Sequence, residues 1–250
     1  MTGPAAPRRA PLRRGGDALL GVSGALVLVL AALPVERTHV GAAEAAVFRA
    51  VNGVDALPFL LVWPFMQLGN FLVVPASALV AALLRRWRLA AGLLLAGAGT
   101  YLAAKGVKDV VVRGRPAGLL EDTVLRGAAA QGRGFVSGHA AVVAAVLTVA
   151  WPWLGRRARV AGVVLATVVC LARVWTGAHL PLDVVGGAGL GLLVGGVVLL
   201  VVGRPSPCRS RAAVLEWSGS QDPTISGSPD DQHRPASRPR HRPPAPGGGS

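Results

Sequence analysis

The 250-residue chain has few charged residues, few aromatic residues and only two cysteines. Charged side chains make up 15% of the sequence, whereas soluble domains contain roughly 25%, so an ordinary soluble fold is disfavoured. Cys170 lies in an apolar stretch and Cys208 in a polar tail, which fits neither a disulfide framework nor a cysteine metal cluster. Aromatic residues account for 5%. The apolar content is therefore mostly Ala, Val, Leu and Gly, which suits lipid-facing helices.

The apolar residues that are present fall into about six long stretches. A membrane helix needs about 20 mostly apolar residues, and candidate stretches cover residues 18–35, 59–84, 89–104, 140–154, 160–174 and 184–202. The second is interrupted by Pro64 and Pro75. Residues 40–57 are typical of a short amphipathic or interfacial helix. We predict an all-α, polytopic membrane helical bundle of about six transmembrane helices over residues 18–202. Within it, Gly187, Gly191 and Gly195 recur every fourth residue, which predicts close helix packing.

The basic residues predict the orientation of this bundle. A net charge of +14 would suggest nucleic-acid binding in a soluble protein, but here the cations lie in short clusters between apolar stretches. Such clusters mark cytoplasmic loops, and they place both termini in the cytoplasm of a multi-pass cell-membrane protein. Residues 1–17 form a basic cytoplasmic N-terminus, with a cleaved signal peptide as the alternative for the first stretch. Residues 203–250, rich in Pro, Ser and Arg, are predicted to be a disordered basic tail.

One segment predicted to face outward departs from this charge rule. Residues 105–137 contain two lysines and four arginines, Arg113, Arg115, Arg126 and Arg133. Translocated loops are normally poor in such residues. Either the predicted topology is wrong, or these cations bind an anion.

Three clusters of polar and charged residues lie at span ends on the predicted outer side. They cover residues 108–116, 135–140 and 173–183. Ionisable groups at membrane edges tend to mark function. The groups of interest are Lys108, Arg115, Ser137, Gly138, His139, Arg173, His179 and Asp183.

These groups fit the cleavage of a phosphate ester. That reaction needs cations for the phosphoryl oxygens, a nucleophile for phosphorus and an acid for the leaving oxygen. A neutral imidazole can be the nucleophile if a carboxylate holds its other nitrogen. Asp183 follows His179 by four residues, which puts both side chains on one face of a helix start, and Pro181 is tolerated in a first helical turn. Ser137 and Gly138 precede a span, where free backbone amides at a helix N-terminus bind phosphate.

Two other kinds of site use similar residues. His139, His179 and Asp183 could form a two-histidine, one-carboxylate metal site, but the surrounding cations would repel a metal ion and attract phosphate. Ser137 with a histidine and an aspartate could indicate a serine hydrolase, yet the chain has no Gly-x-Ser-x-Gly elbow. We therefore predict no metal ligands and no cofactor.

Taken together, the three clusters resemble the signature of the type 2 phosphatidic acid phosphatase superfamily. That signature is Lys, six residues, Arg-Pro; then Pro-Ser-Gly-His; then Ser-Arg, five residues, His, three residues, Asp. The spacings from Lys108 to Arg115, from Arg173 to His179 and from His179 to Asp183 all match. The resemblance covers roughly residues 59–202 and implies a helical-bundle fold with metal-independent phosphatase activity.

The resemblance also implies a role for each residue. The residue that matches His179 forms a phosphohistidine, the one that matches Asp183 orients it, and the one that matches His139 protonates the leaving group. The phosphate is bound by the residues that match Lys108, Arg115, Ser137, Gly138 and Arg173. Two positions depart from the pattern, because Val136 replaces the motif proline and Ala172 replaces the serine before Arg173.

The expected protein is an integral membrane phosphatase whose active site faces outward. Its expected substrate is a lipid-linked phosphate or diphosphate: a polyprenyl diphosphate such as undecaprenyl diphosphate, phosphatidic acid, phosphatidylglycerol phosphate or a polyprenyl-linked phosphosugar. Its expected partners are that lipid and the membrane, and no nucleic acid. The alternative is a catalytically inactive membrane transporter or scaffold that keeps a relic anion site.

Overall fold

The computed structural model describes residues 12–204, and their regular structure is helical throughout, with no strand in this range. The helices are α1 (Leu12–Ala32), α2 (Ala42–Asn52), α3 (Phe59–Gln67), α4 (Val73–Leu83), α5 (Trp87–Val110), α6 (Gly138–Ala150), α7 (Arg156–Trp175) and α8 (Pro181–Val202). The predicted all-α membrane bundle is confirmed. The predictions for residues 1–11 and 205–250, including the disordered tail, lie outside the described residues.

Four helices, α1, α5, α7 and α8, are long and apolar enough to cross a membrane. The predicted amphipathic segment at residues 40–57 contains α2. The predicted fourth span corresponds to the shorter α6, which has 13 residues and continues into the 3₁₀ turn Trp151–Trp153. Hydropathy therefore located these helices correctly.

The predicted second span, residues 59–84, is divided into the two short helices α3 and α4. Pro75 lies in the first turn of α4. A proline ring clashes with the carbonyl four residues earlier and kinks or breaks a helix. Here the helix is broken before Pro75, whereas Pro64 is accommodated within α3. The side-chain oxygen of Asn70 accepts a hydrogen bond from the Leu72 amide at 3.1 Å and supports the break.

Helix α8 lies at the centre of the bundle and packs closely against α1 and α6. Its glycines occupy two faces. A Cβ on Gly191 would lie 2.4 Å from the Ala141 carbonyl oxygen in α6, and a Cβ on Gly189 would lie 2.7 Å from the Leu28 amide nitrogen in α1. On the α6 side, a Cβ on Gly187 or on Gly195 would likewise lie too close to a neighbouring atom. The prediction of close packing at the glycine repeat is therefore confirmed.

The outer surface of the bundle is apolar, as a lipid environment requires. Large side chains such as Leu60, Leu83 and Leu102 are exposed, while the core between α4, α5, α6 and α8 contains mostly small residues. At the end of the bundle where α1 begins and α8 ends, Arg204 forms an ion pair with the buried Asp17. This pair connects the start of α1 to the residues that follow α8, at the end of the bundle opposite the polar clusters.

We expect Gly191→Ala to destabilise the protein by about 1–3 kcal/mol, the usual cost of adding a methyl group to a close-packed contact. The control is Gly106→Ala in α5, because a Cβ at Gly106 meets no atom within 4 Å. The measurement is the temperature at which the detergent-solubilised protein loses its monodisperse size-exclusion peak. Equal midpoints for the two variants would contradict the packing described for α8.

Candidate active site

The three predicted clusters meet at one end of the bundle. Lys108 lies in the last turn of α5, Arg115 in the following loop, Ser137 and His139 at the start of α6, and Arg173 in the last turn of α7. The charge of Arg115 acts on Lys108, His139 and Arg173, and the charge of Arg173 acts on both histidines. The structure therefore brings the predicted site residues together, although they span 76 positions of the chain.

A tight connection between α7 and α8 holds His179. Gly177 has a φ of +71°, and a Cβ there would lie 2.7 Å from the Val124 carbonyl oxygen, so this turn requires glycine. The amides of Ala178 and His179 both donate to the Arg173 carbonyl oxygen at 3.2 Å. These bonds tie the backbone of His179 to the end of α7, and the residue is only 4% exposed.

Asp183 lies beside His179 because α8 begins between them. Pro181 is the first residue of α8, as the sequence predicted. The Asp183 Oδ2 atom accepts a hydrogen bond from the Leu180 amide at 2.9 Å, which is one half of a capping box. The Nδ1 atom of His179 lies 3.6 Å from the same oxygen. This is an ion-pair distance and exceeds a hydrogen-bond length, and catalytic hydrogen bonds are often this long in free enzymes.

The environment of His179 favours its neutral form. Burial lowers the pKa of the imidazole, the charges of Arg173 and Lys108 act in the same direction, and Asp183 only partly offsets them. An uncharged imidazole has a free lone pair on one of its two ring nitrogens. With Nδ1 directed at Asp183, the nitrogen available for attack on an electrophile is Nε2.

The start of α6 supplies a second histidine and a set of backbone donors. Ser137 is the N-cap, Gly138 is the first helical residue, and His139 follows. The first amides of a helix have no partner within the helix and favour anions. A Cβ on Gly69, in the break between α3 and α4, would lie 2.8 Å from the Cβ of His139. The break therefore lets the chain pass close to this histidine.

Several buried polar atoms at this end have no partner within the protein. Six side-chain polar atoms of the described residues are buried without a hydrogen bond, and four belong to predicted site residues: Arg115 Nε, Ser137 Oγ, Arg173 Nε and His179 Nδ1. Buried polar groups are normally hydrogen-bonded. The arginine and serine atoms are donors that suit the oxygens of an anion.

Lys108 is positioned by the loop that follows α5. Its ammonium group donates to the Arg133 carbonyl oxygen at 3.1 Å, and Arg133 donates back to the Lys108 carbonyl oxygen at 3.1 Å. Arg133 also pairs with Asp109. This reciprocal contact fixes the end of α5 while the lysine keeps two further N–H donors.

The hypothesis that all the basic residues of the 105–137 segment bind an anion is too broad. Arg133 pairs with Asp109, and Arg126 pairs with Asp55 at 2.6 Å and also donates to the carbonyl oxygens of Asn52 and Trp175. Arg113 pairs with two carboxylates through its terminal nitrogens. Among the described residues, these three arginines each form an ion pair with a carboxylate, whereas Arg115 forms none and donates only to the Ala129 carbonyl oxygen at 3.2 Å.

Sequence reasoning missed Glu44 and did not predict that Arg113 pairs with carboxylates. Arg113 is 1% exposed, and its Nη1 atom donates to Glu44 at 3.0 Å and to Asp183 at 3.1 Å. Burial disfavours the Arg113 cation, but hydrogen bonding to Glu44 and the charge of Asp183 outweigh it and raise its pKa. Glu44 could have been noticed as the acidic residue of α2, within the predicted interfacial segment.

The two departures from the family signature are buried. Val136 packs with Phe135, Ala141 and Leu190 in a hydrophobic cluster, so the position of the motif proline is filled by a core side chain. Ala172 is buried and has no side-chain polar atom, and its carbonyl oxygen accepts a hydrogen bond from the Thr176 hydroxyl at 2.9 Å. Neither departure removes a nucleophile, an acid or a cation.

The alternative chemistries fit the geometry less well. Among residues 12–204, no three His, Cys, Asp or Glu side chains are grouped as a metal site. The Oγ atom of Ser137 is buried without a hydrogen-bond partner, whereas a serine nucleophile needs a base within hydrogen-bond reach. The arrangement suits the binding of a phosphoryl group beside a neutral histidine.

Comparison with known proteins agrees with this geometry. The model of the PAP2 superfamily matches residues 86–206, which include all eight predicted site residues. The crystal structure of LpxE from Aquifex aeolicus is similar, with a TM-score of 0.60 and 25% identity, over 66% of this chain and 99% of that one. A PAP2-type phosphatidylglycerolphosphate phosphatase from Bacillus subtilis gives a TM-score of 0.56 and 24% identity, over 71% and 93%. No curated protein sequence matches the chain.

Proposed function

We propose that this chain, which belongs to the PAP2 superfamily, is an integral membrane phosphatase that hydrolyses a lipid-linked phosphate or diphosphate through a phosphohistidine at His179. The observation that carries the proposal is the position of His179, which is buried within 3.6 Å of Asp183 at the end of the bundle where Lys108, Arg115 and Arg173 converge. LpxE and the Bacillus phosphatase support the lipid phosphatase class. Polyprenyl diphosphate, phosphatidic acid, phosphatidylglycerol phosphate and a polyprenyl-linked phosphosugar are the candidate substrates.

The proposed reaction has two balanced steps. In the first, Nε2 of His179 attacks phosphorus, the bond from phosphorus to the leaving oxygen breaks, and His139 gives that oxygen a proton. In the second, water attacks the phosphohistidine, the P–N bond breaks, and the neutral His139 takes the proton of the water. The three cations neutralise the phosphoryl oxygens in both steps, and Asp183 stabilises the cationic ring of the intermediate.

The distribution of basic residues supports an outward-facing site with both termini in the cytoplasm. Two arginine clusters, one between α4 and α5 and one at the start of α7, lie at the end of the bundle opposite the site: Arg85, Arg86, Arg88, Arg156, Arg157 and Arg159. Arg88 donates to the Val202 carbonyl oxygen near the end of α8. Basic clusters of this kind stay in the cytoplasm.

We expect hydrolysis to persist in excess EDTA. Lys108, Arg115 and Arg173 already supply the positive charge that a divalent ion would otherwise provide to the phosphoryl oxygens. The measurement is phosphate release from a panel of lipid phosphates with and without chelator, which also reports the preferred substrate. Complete loss of activity in EDTA, with rescue by a divalent metal, would favour a metal site instead.

We expect a membrane-impermeant thiol reagent to label Leu125→Cys but not Trp87→Cys on intact cells, in a background that lacks Cys170 and Cys208. Both positions are exposed, and they lie at opposite ends of the bundle. Permeabilised cells are the control, because both cysteines should then react. Labelling of position 87 alone on intact cells would put the site in the cytoplasm.

We expect the two histidines to fail in different ways. His179→Ala should abolish trapping of labelled phosphate on the acid-quenched protein, because the nucleophile is lost. His139→Ala should slow the hydrolysis of poor leaving groups by about 10²–10⁴-fold but affect an activated aryl phosphate much less, because its leaving oxygen needs little protonation. Asp183→Asn should resemble a weaker form of His179→Ala.

The exposed His39, in the loop between α1 and α2, provides a matched control, and His39→Ala should leave phosphate trapping unchanged. If His179→Ala still traps phosphate while His139→Ala does not, the two roles are assigned the wrong way round.

A further inference from the structure

We infer that Glu44 and Arg113 are positioning residues, which hold the Asp183 carboxylate in place and keep its negative charge available to His179. The inference rests on the proposed phosphohistidine chemistry and extends it to a helix, α2, that lies outside the residues matched by the family model. It is carried by a continuous chain of buried contacts from Glu44 through Arg113 and Asp183 to His179.

Arg113 is held between two carboxylates. Its Nη2 atom contacts Oε2 of Glu44, while Nη1 donates both to Oε1 of Glu44 at 3.0 Å and to Oδ1 of Asp183 at 3.1 Å. The guanidinium side chain has no exposed surface. Both terminal nitrogens thus contact carboxylates, while Nε is buried without a partner among the described residues. The direct contact of Arg113 with the residues of the proposed reaction is therefore its bond to Asp183.

The two oxygens of Asp183 have separate partners. Oδ1 accepts from Arg113, while Oδ2 accepts from the Leu180 amide at 2.9 Å and lies 3.6 Å from Nδ1 of His179. Contacts on both oxygens prevent rotation of the carboxylate. Arg113 therefore determines which oxygen faces the imidazole and holds it within reach of Nδ1.

Glu44 determines the net charge of the buried cluster formed by Glu44, Arg113 and Asp183. Arg113 alone would neutralise Asp183, and the pair would then stabilise the cationic phosphohistidine poorly. With Glu44 present, Glu44, Arg113 and Asp183 together carry one net negative charge, because two carboxylates share one guanidinium. That charge lies in a buried region where electrostatic interactions are strong, and it is balanced when the ring of His179 becomes positive.

Glu44 is itself fixed from two sides. Its Oε1 atom accepts a hydrogen bond from the Leu182 amide at 3.0 Å, one of the free donors at the start of α8. Eight residues further along α2, Asn52 donates to the carbonyl oxygens of Val124 and Trp175. Helix α2 is thus attached both to the start of α8 and to the segment that packs against the α7–α8 turn, which gives this short amphipathic helix a role in the geometry of the site.

The test is a double-mutant cycle between Glu44→Gln and Asp183→Asn. In the wild-type background we expect Glu44→Gln to lower the rate of phosphoenzyme formation by about 10–100-fold, the range known for residues that orient metal-ligating side chains, with little change in KM. In the Asp183→Asn background the same change should cause no further loss, because Glu44 acts through the charge of Asp183. Glu44→Asp, which keeps the charge, should recover part of the rate.

The control is Asp17→Asn, which removes another buried carboxylate from an ion pair with arginine at the opposite end of the bundle and should leave the rate unchanged. An equal loss from Glu44→Gln in both backgrounds, or no loss in either, overturns the inference. If Glu44→Gln does not give monodisperse protein, the same cycle is measured with Glu44→Asp, for which a smaller loss is expected in the wild-type background alone.

Failure of the proposed function gives a different result. If the wild-type protein traps no phosphate, or if His179→Ala still traps it, the phosphohistidine proposal falls and the positioning role falls with it. If trapping depends on His179 but the cycle shows no coupling, the phosphohistidine proposal stands and only the roles of Glu44 and Arg113 are overturned.

Discussion

Asp183 is a fully buried carboxylate at the end of a membrane-spanning bundle, and a buried charge costs several kcal/mol unless partners surround it. The structure provides those partners from three different parts of the chain. The guanidinium of Arg113 comes from the α5–α6 loop, the Leu180 amide from the start of α8, and Glu44 of α2 balances the arginine in turn. The need to compensate this one charge therefore brings together the elements that form the site.

Close packing of α8 is the second requirement, and it serves the same site. The Ser137 amide donates to the Asp183 carbonyl oxygen at 2.8 Å, which joins the start of α6 to the start of α8. One turn further along α8, a Cβ on Gly187 would lie 2.5 Å from the Ser137 carbonyl oxygen. A larger residue there would push apart the two helix starts that carry Ser137, His139 and Asp183. The glycine repeat is therefore a condition for the geometry of the candidate site as well as for the stability of the bundle.

The sequence predicted what depends on local spacing and on hydropathy. The helices, the pairing of His179 with Asp183 and the close packing at the glycines of α8 follow from residues close in sequence or from periodic composition. That α6 packs against those glycines was not predicted. The prolines of the second apolar stretch indicated an interruption, but hydropathy did not show that the stretch forms two separate helices, α3 and α4. The pairing of Arg113 with Glu44 was missed because they are 69 residues apart, and single charges at that separation carry no pattern that pairs them.

The arginine between the two carboxylates also affects the other cations of the candidate site. Lys108 lies within the influence of the Asp183 charge, and an uncompensated Asp183 would attract Lys108, Arg115 or Arg173. Because Arg113 contacts Oδ1 and the Leu180 amide contacts Oδ2, the other cations keep donors that suit the oxygens of an anion. The basic residues of the 105–137 segment thus differ in their surroundings: Arg113, Arg126 and Arg133 pair with carboxylates and hold the loop in place, whereas Lys108 and Arg115 lie beside the histidines without such a pair within residues 12–204.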